Sequence, residues 1–148
     1  MPDHFHTVLI VSFFLSCVTG RAIVIQLDYT YDTNNFFEQP GAKEAMRKAA
    51  DFFEELIQDS LAPIDPDIYF GSENTWTAWA SHPGTGGYIN LVDLIVPADT
   101  LIIFVGGRDL GGSIGLGGPG GIAGGSGSSA WVDAVLGRGQ AGALLTPK

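Results

Sequence analysis

The 148-residue sequence has little cysteine and little histidine. Its one cysteine, Cys17, lies in an apolar N-terminal segment, and one of its three histidines, His82, lies beyond residue 22. A lone cysteine excludes an intrachain disulfide, so packing or bound ions have to stabilise the fold. A lone histidine beyond the N-terminal segment excludes the catalytic zinc sites in which two histidines stand one helical turn apart.

Basic residues are also few. The sequence has 7 Lys and Arg against 16 Asp and Glu, a formal net charge of −9, and the residues after position 22 keep six basic and fifteen acidic side chains. The basic residues form no patch, so the sequence gives little support to a nucleic-acid-binding protein, and no nucleic-acid partner is expected. A surface of this sign repels anionic lipid, and it suits a solvated protein or one that binds a hard cation.

Long hydrophobic runs are absent too. The apolar run over residues 8–18 is too short to cross a bilayer and has the length of the apolar part of a signal peptide. Gly20 and Ala22 are small residues that offer cleavage positions. We therefore expect residues 1–22 to be an export signal and the mature chain to be secreted or periplasmic, with no membrane partner after cleavage. Because the first residues include no Lys or Arg, a buried N-terminal strand is the alternative.

Hydrophobic periodicity predicts a strand and then a long helix. Residues 23–29 carry apolar side chains at every second position, which is typical of a strand. Residues 41–61 follow helical spacing, and Pro63 and Pro66 are expected to stop that helix. The face expected to be buried consists of Ala42, Ala45, Met46, Ala49, Phe52, Phe53, Leu56 and Ile57. The opposite face, expected to be solvated, consists of Lys43, Glu44, Arg47, Lys48, Asp51, Glu54, Glu55 and Asp59.

Further strands follow the long helix. The segment "DIYFGSENTWTAWASHPG" favours a strand with a bend at Gly71–Ser72, and Pro97 divides the next apolar stretch into two strands. The second of these, Leu101–Val105, is continuously apolar, which indicates a strand covered on both faces.

A short helix is expected near the end, over about residues 128–136, with Ser128 or Ser129 as its N-cap and Gly137 just after it. Together the elements predict one domain over residues 23–148. Its fold class is α/β or α+β, with the long amphipathic helix packed on a mixed β-sheet.

A glycine-rich tract spans residues 106–127, in which 12 of 22 residues are glycine. Gly115, Gly117 and Gly120 match the spacing of a dinucleotide-binding fingerprint, but no strand ends directly before them and no helix starts directly after them. The tract has no lysine for a phosphate-binding loop, and no aspartate where a calcium-binding glycine repeat requires one. These three kinds of site are excluded.

An ordered loop and a flexible linker both stay open for the tract. Linkers of this kind are polar throughout. This tract carries apolar side chains that an ordered loop would pack, namely Leu110, Ile114, Leu116 and Ile122. In an ordered loop, backbone carbonyls can converge on a hard cation such as Ca²⁺. Asp109, the one carboxylate of the tract, is then a candidate cation ligand or the ion-pair partner of Arg108.

Other side chains that could carry chemistry are expected to have structural roles. His82, in a loop beside a proline, is expected to face solvent rather than a metal. Aspartates near strand ends and turns are expected to accept local hydrogen bonds: Asp28, Asp32, Asp65 and Asp67. Core packing is expected, rather than an aromatic binding face, for Trp76, Trp79 and Trp131. No serine-hydrolase site is indicated by Ser126, Ser128 and Ser129.

Three segments resemble the N-terminal half of a bacterial family of secreted, metzincin-like zinc peptidases. They are "IQLDYTYDTNNFF", "AKEAMRKAADFFEELIQDSLAPI" and, most specifically, "FVGGRDLGGSIGLGGPGG". The resemblance covers about residues 22–145 and implies a strand, a long helix and further strands. In that family a later helix carries the zinc-binding HExxH motif, which this sequence lacks. The resemblance therefore implies a chain truncated before that helix, with no catalytic residue of its own.

Two functions are expected from the sequence. The first is the non-catalytic N-terminal portion of an exported zinc metallopeptidase, in whose full-length relatives a sheet edge pairs with a peptide or protein substrate and zinc activates water. The second is a free-standing exported interaction module, calcium-dependent and without chemistry. If the first holds, apolar area stays exposed, and we expect the chain to be oligomeric or poorly soluble.

Overall fold

The computed structural model describes residues 23–70 and 73–138. The predicted export signal, with Cys17, and the predicted bend at Gly71–Ser72 lie outside the described residues. The described elements, in chain order, are β1 (Val24–Asp28), α1 (Ala42–Leu56), β2 (Thr75–Ser81), β3 (Tyr88–Val92), β4 (Thr100–Phe104), β5 (Gly121–Ser126) and α2 (Ser129–Gly137). Short 3-10 turns lie at Phe36–Glu38 and Pro66–Ile68.

The described strands form two sheets. β1 and β4 pair in parallel, with Val24 opposite Thr100 and Asp28 opposite Phe104. The second sheet is antiparallel, in the order β3-β2-β5. The class is therefore α+β, as predicted, but the expected single mixed sheet is wrong. After β3, a positive φ at Asp93 and Asp99, with Pro97 between them, redirects the chain so that β4 pairs with β1.

One core lies between α1 and the parallel pair. Ile23, Ile25, Ala50 and Leu61 are buried there, and partly buried residues of β1 and β4 pack against them. Burial of an Ile or Leu side chain contributes about 1.5–3 kcal/mol. This core therefore fixes α1 on the sheet through its Ala50 face.

The position of α1 corrects two predictions. The helix ends at Leu56, not at residue 61, because Ile57 is extended and the following chain turns back to bury Leu61. The apolar face expected to be buried is largely exposed: Phe52 is 58% exposed, Phe53 53% and Leu56 61%.

The second core lies between α2 and the antiparallel sheet. It contains Trp76 and Trp131, which confirms core packing for these two tryptophans, together with Ile64, Tyr69, Ala78, Val96, Ala134 and Val135. Ser128 is the N-cap of α2, as predicted, and its hydroxyl accepts the Trp131 backbone N–H at 3.3 Å.

Two strands differ from expectation. β4 is not covered on both faces, since Ile103 is 42% exposed. The end of the glycine-rich tract is not loop: Gly121–Ser126 forms β5, an edge strand on β2. The apolar residues Ile114 and Leu116 do not pack against the described residues, because they are 109% and 74% exposed.

Two polar side chains join α2 and the segment after α1 to β4. The Arg138 guanidinium donates to the carbonyls of Ala62 (2.7 Å), Pro97 (3.1 Å) and Thr100 (2.8 Å). The buried Asp99 carboxylate accepts the Leu61 backbone N–H at 2.9 Å. Burial lowers the pKa of the Arg138 guanidinium, and the Asp99 charge offsets part of that effect. Among the described residues, no helix has the length and apolar character to cross a membrane.

Candidate functional site

An open groove of about 440 Å³ runs along β1 beside α1. Its walls are the backbone and side chains of β1 and two basic side chains of α1: Val24, Ile25, Gln26, Leu27, Tyr29, Lys43 and Arg47. β1 pairs only with β4 among the described strands, so the groove follows a free strand edge. A free edge presents unpaired backbone N–H and C=O groups, which an extended peptide can bind.

The pairing of β1 shows which peptide groups face the groove. The Val24 N–H donates to the Asp99 carbonyl, and the Asp28 carbonyl accepts the Val105 N–H. Because these groups alternate along a strand, the N–H and C=O of Ile25 and Leu27 face away from β4. Leu27 thus offers one donor and one acceptor to the groove, and neither makes a hydrogen bond to the described residues.

The backbone N–H and C=O of Ile25, which face the same way as those of Leu27, are already hydrogen-bonded to side chains of α1. The Ile25 N–H donates to Glu54 Oε1 at 2.5 Å, and Arg47 Nη1 donates to the Ile25 carbonyl at 2.7 Å. Arg47 also donates to Glu54 at 2.6 Å. These two side chains supply what the backbone of a neighbouring strand would supply, and they end the open part of the edge at Leu27.

The far end of the groove is aromatic and basic. Lys43 Nζ lies 5.3 Å from the centroid of the Tyr29 ring, which packs against Phe37 at 5.2 Å. The Tyr29 hydroxyl oxygen is buried and has no hydrogen-bond partner among the described residues. A buried hydroxyl without a partner costs about 1–3 kcal/mol.

The charges of the groove are balanced by neighbouring carboxylates. Lys43 donates a hydrogen bond to Glu38, and this bond raises the pKa of Lys43. Hydrogen bonds to Glu54 and Asp51 raise the pKa of Arg47. The groove is therefore suited to a neutral backbone rather than to a highly charged ligand.

Asp32 is an organising residue at the carboxyl ends of β1 and β4. It is 9% exposed, and its carboxylate accepts the backbone N–H of Phe37 at 2.7 Å and of Gly107 at 2.9 Å. Burial acts to raise the pKa of Asp32, but the hydrogen bonds from Phe37 and Gly107 outweigh it and place that pKa below the usual 3.8. Asn34 strengthens the same junction through its amide, which donates to the carbonyls of Gly84 and Gly107.

Glycines at both ends of the glycine-rich tract permit close packing. A side chain at Gly107 would overlap the Phe36 ring, and one at Gly121 would overlap the Trp79 indole. In the middle of the tract, from Gly111 to Gly118, an added Cβ meets nothing within 4 Å. The tract is therefore two packed ends, the second of which is strand β5, joined by an exposed loop.

The candidate cation ligand Asp109 is exposed, and its carboxylate accepts the Gly111 backbone N–H at 2.7 Å. No group of three or more His, Cys, Asp or Glu that could hold a metal ion occurs within residues 23–70 and 73–138. The calcium site at Asp109 stays a prediction. Arg108 lies against Gly86, whose added Cβ would lie 2.9 Å from the guanidinium carbon.

His82 does not simply face solvent, as the sequence suggested. It is half-buried, its Nδ1 accepts the backbone N–H groups of Gly84 (3.1 Å) and Thr85 (3.2 Å), and its ring packs edge-on against Tyr31 at 5.2 Å. Because Nδ1 accepts, a neutral ring carries its proton on Nε2. The histidine closes a turn.

The other predicted residues divide between local and long-range contacts. Asp28 and Asp65 accept local backbone N–H groups, from Thr30 and Asp67 respectively, as expected. Asp32 differs, since its contact to Gly107 is 75 residues away along the chain. Trp79 is half-buried rather than in a core, and its ring meets Tyr88 at 5.6 Å.

Arg47 and Glu54 were predicted to lie on a solvated face, so their contacts to β1 were not expected. They lie three and four residues from Ala50, the residue of α1 that is buried against β1. Positions at that spacing share a helix face. The three- and four-residue spacing of Arg47 and Glu54 from Ala50 was therefore the signal in the sequence. It was not followed because the face with the larger Phe and Leu side chains was expected to be the buried one.

Comparisons with known proteins give no relative: no family model, no curated protein and no solved structure matches this chain.

Proposed function

We propose that this chain is the non-catalytic, peptide-binding portion of an exported, metzincin-like zinc metallopeptidase. An extended segment of a peptide or protein substrate adds to the free edge of β1, and its backbone pairs with Leu27. Zinc and the hydrolytic chemistry belong to full-length relatives. The observation that carries the proposal is the groove along β1, in which Leu27 presents an open N–H and C=O.

The groove explains why binding would depend on backbone more than on side chains. Leu27 supplies a donor and an acceptor, and the Tyr29 side chain lines the groove nearby. Lys43 and Arg47 are already engaged with carboxylates. Main-chain pairing at a sheet edge provides affinity for many sequences, and the pockets beside it select among them.

Further support comes from the order of the elements. A strand, a long helix, further strands and a glycine-rich segment is the order that the resemblance implies, and β1, α1, β2, β3, β4 and the tract follow it. The groove lies between the first two of these elements, where the residues of two resembling segments meet.

The test is binding of an unfolded chain, with fluorescein-labelled, reduced and carboxymethylated lactalbumin as the probe and fluorescence anisotropy as the measurement. We expect Leu27→Pro, which removes the N–H facing the groove, to weaken binding about tenfold, the equivalent of one hydrogen bond. Arg47→Ala frees the Ile25 carbonyl and lengthens the open edge, so we expect binding to tighten about fivefold. Arg108→Ala removes the same charge outside the groove and should leave binding unchanged.

Opposite effects of the two groove variants distinguish edge pairing from simple loss of folding. Equal affinity of Leu27→Pro, Arg47→Ala and the unmodified chain for lactalbumin would contradict peptide binding at β1. Chelator-sensitive cleavage of casein by the purified chain would contradict its non-catalytic role.

A further inference from the structure

The exposed apolar face of α1 has a pattern that fits a second copy of the same helix. The face consists of Ala45, Ala49, Phe52, Phe53 and Leu56, all exposed. Its small residues lie in the N-terminal half of the helix and its large residues lie in the C-terminal half. A contiguous exposed apolar patch of this kind is typical of an interaction surface.

An antiparallel pair of identical helices would match these sizes. If a two-fold axis passes beside residues 50 and 51, Ala45 lies opposite Leu56 of the second copy, and Ala49 lies opposite its Phe52. Each large side chain then faces a small one, as ridges-into-grooves packing requires. The match holds twice, because a two-fold interface repeats every contact.

Charged residues beside the face would also pair with opposite charges in the antiparallel arrangement. Lys48 and Glu55 lie seven residues apart and therefore on the same flank of the face. Lys48 also contacts Glu44 of its own helix at 2.7 Å, but both side chains are exposed, so the ammonium group can be shared with a carboxylate of a second copy. In an antiparallel pair the same flanks of the two helices meet, and Lys48 of each copy comes within reach of Glu55 of the other. In a parallel pair opposite flanks meet instead, so Lys48 and Glu55 of the two copies would not face each other and this pairing would be lost.

We propose that two copies of this chain associate through α1, antiparallel about a two-fold axis. Ala45, Ala49, Phe52 and Leu56 form the apolar contact, and Lys48 pairs with Glu55 of the second copy. Phe53 lies three residues from Ala50 and borders the side of α1 that packs on β1, whereas the four contact residues lie on the outer side. The dimer therefore leaves the β1 groove free.

The test is sedimentation velocity of the full chain over a wide concentration range, with charge reversals at the flank. We expect a concentration-dependent dimer, weakened about tenfold by Lys48→Glu and about tenfold by Glu55→Lys. The double variant exchanges the two charges, so we expect dimerisation to return to within about threefold of the unmodified chain. Phe52→Ala should abolish the dimer, whereas Phe70→Ala, which removes another exposed aromatic ring, should not.

A monomer at every concentration would overturn the proposal, since another part of the chain or solvent would then cover α1. A dimer that both single reversals leave intact, or that the double reversal fails to restore, would overturn the antiparallel arrangement. Far-UV circular dichroism of each variant should match that of the unmodified chain, because the reversed side chains are exposed.

Discussion

Asp32 shows how much a single carboxylate contributes to this structure. Its two oxygens join the turn after β1 to the start of the glycine-rich tract, through Phe37 and Gly107. Both contacts are made by charged oxygens in a buried setting, where hydrogen bonds to ions contribute about 1.5–3 kcal/mol. The tract therefore begins at a fixed point beside the carboxyl ends of the parallel strands.

Asp32→Asn should lower the free energy of unfolding by about 2 kcal/mol, measured by urea denaturation. The amide keeps one acceptor oxygen, so its NH₂ group has to face a second backbone N–H. Asp109→Asn is the matched control, because the hydrogen bond from Gly111 to Asp109 is exposed, and its effect should stay within about 0.5 kcal/mol. Equal losses in the two variants would show that Asp32 does not join the two segments.

The stability contributed by Asp32 should also depend on pH. Its pKa is depressed below 3.8 in the folded state, so its stabilisation is present above pH 3.8 and is lost as pH falls through the lower folded value. Urea denaturation between pH 5 and pH 2 should therefore show a shallower acid loss in Asp32→Asn than in the unmodified chain. An identical acid slope would contradict the depressed pKa.

Among the elements, β5 depends most directly on glycine. It pairs with β2, and Gly121 lies against the Trp79 indole where a Cβ would overlap the ring. We expect Gly121→Val to destabilise the protein by about 1–3 kcal/mol through overpacking and to change the tryptophan fluorescence. Gly117→Val is the control, since its added side chain meets nothing within 4 Å. Equal melting temperatures for the two variants would mean that β5 does not pack on Trp79.

The elements also show what the sequence could predict. β1, the start of α1 and the Ser128 cap followed from local patterns, because periodicity and capping are properties of neighbouring residues. The orientation of α1 did not follow, because the side that packs on β1 has one small buried residue of the helix, Ala50, between the charged Arg47 and Glu54. The larger face was expected to be buried, but the structure packs Ala50 and leaves Phe52 exposed.

Long-range polar contacts could not be predicted from the sequence, because they depend on how distant segments pack. Asp32 and Arg138 are ordinary residues in their local segments, and their roles arise only when segments 75 and 76 residues apart meet. The β1 groove belongs to the same class, since it exists only because β4 pairs with one side of β1 and α1 packs beside the other. Strand β5 was missed because glycine disfavours strands.

At the scale of the whole molecule, the structure separates two surfaces. The groove along β1 offers backbone groups to an extended peptide, and the outer face of α1 offers apolar side chains to a second copy. The Arg47 and Ala50 side of α1 faces β1, so the helix serves both surfaces with different residues. A dimer formed through α1 would carry two grooves, one on each copy.

Amide hydrogen exchange at Leu27, followed by NMR with and without saturating unfolded lactalbumin, tests peptide addition at β1 most directly. The Leu27 N–H should exchange rapidly in the free protein and at least about tenfold more slowly with the probe bound. The Gln26 N–H, which faces β4, should be slow in both states. A Leu27 amide that is already protected in the free protein, or that the bound probe leaves unchanged, would contradict a peptide-binding edge.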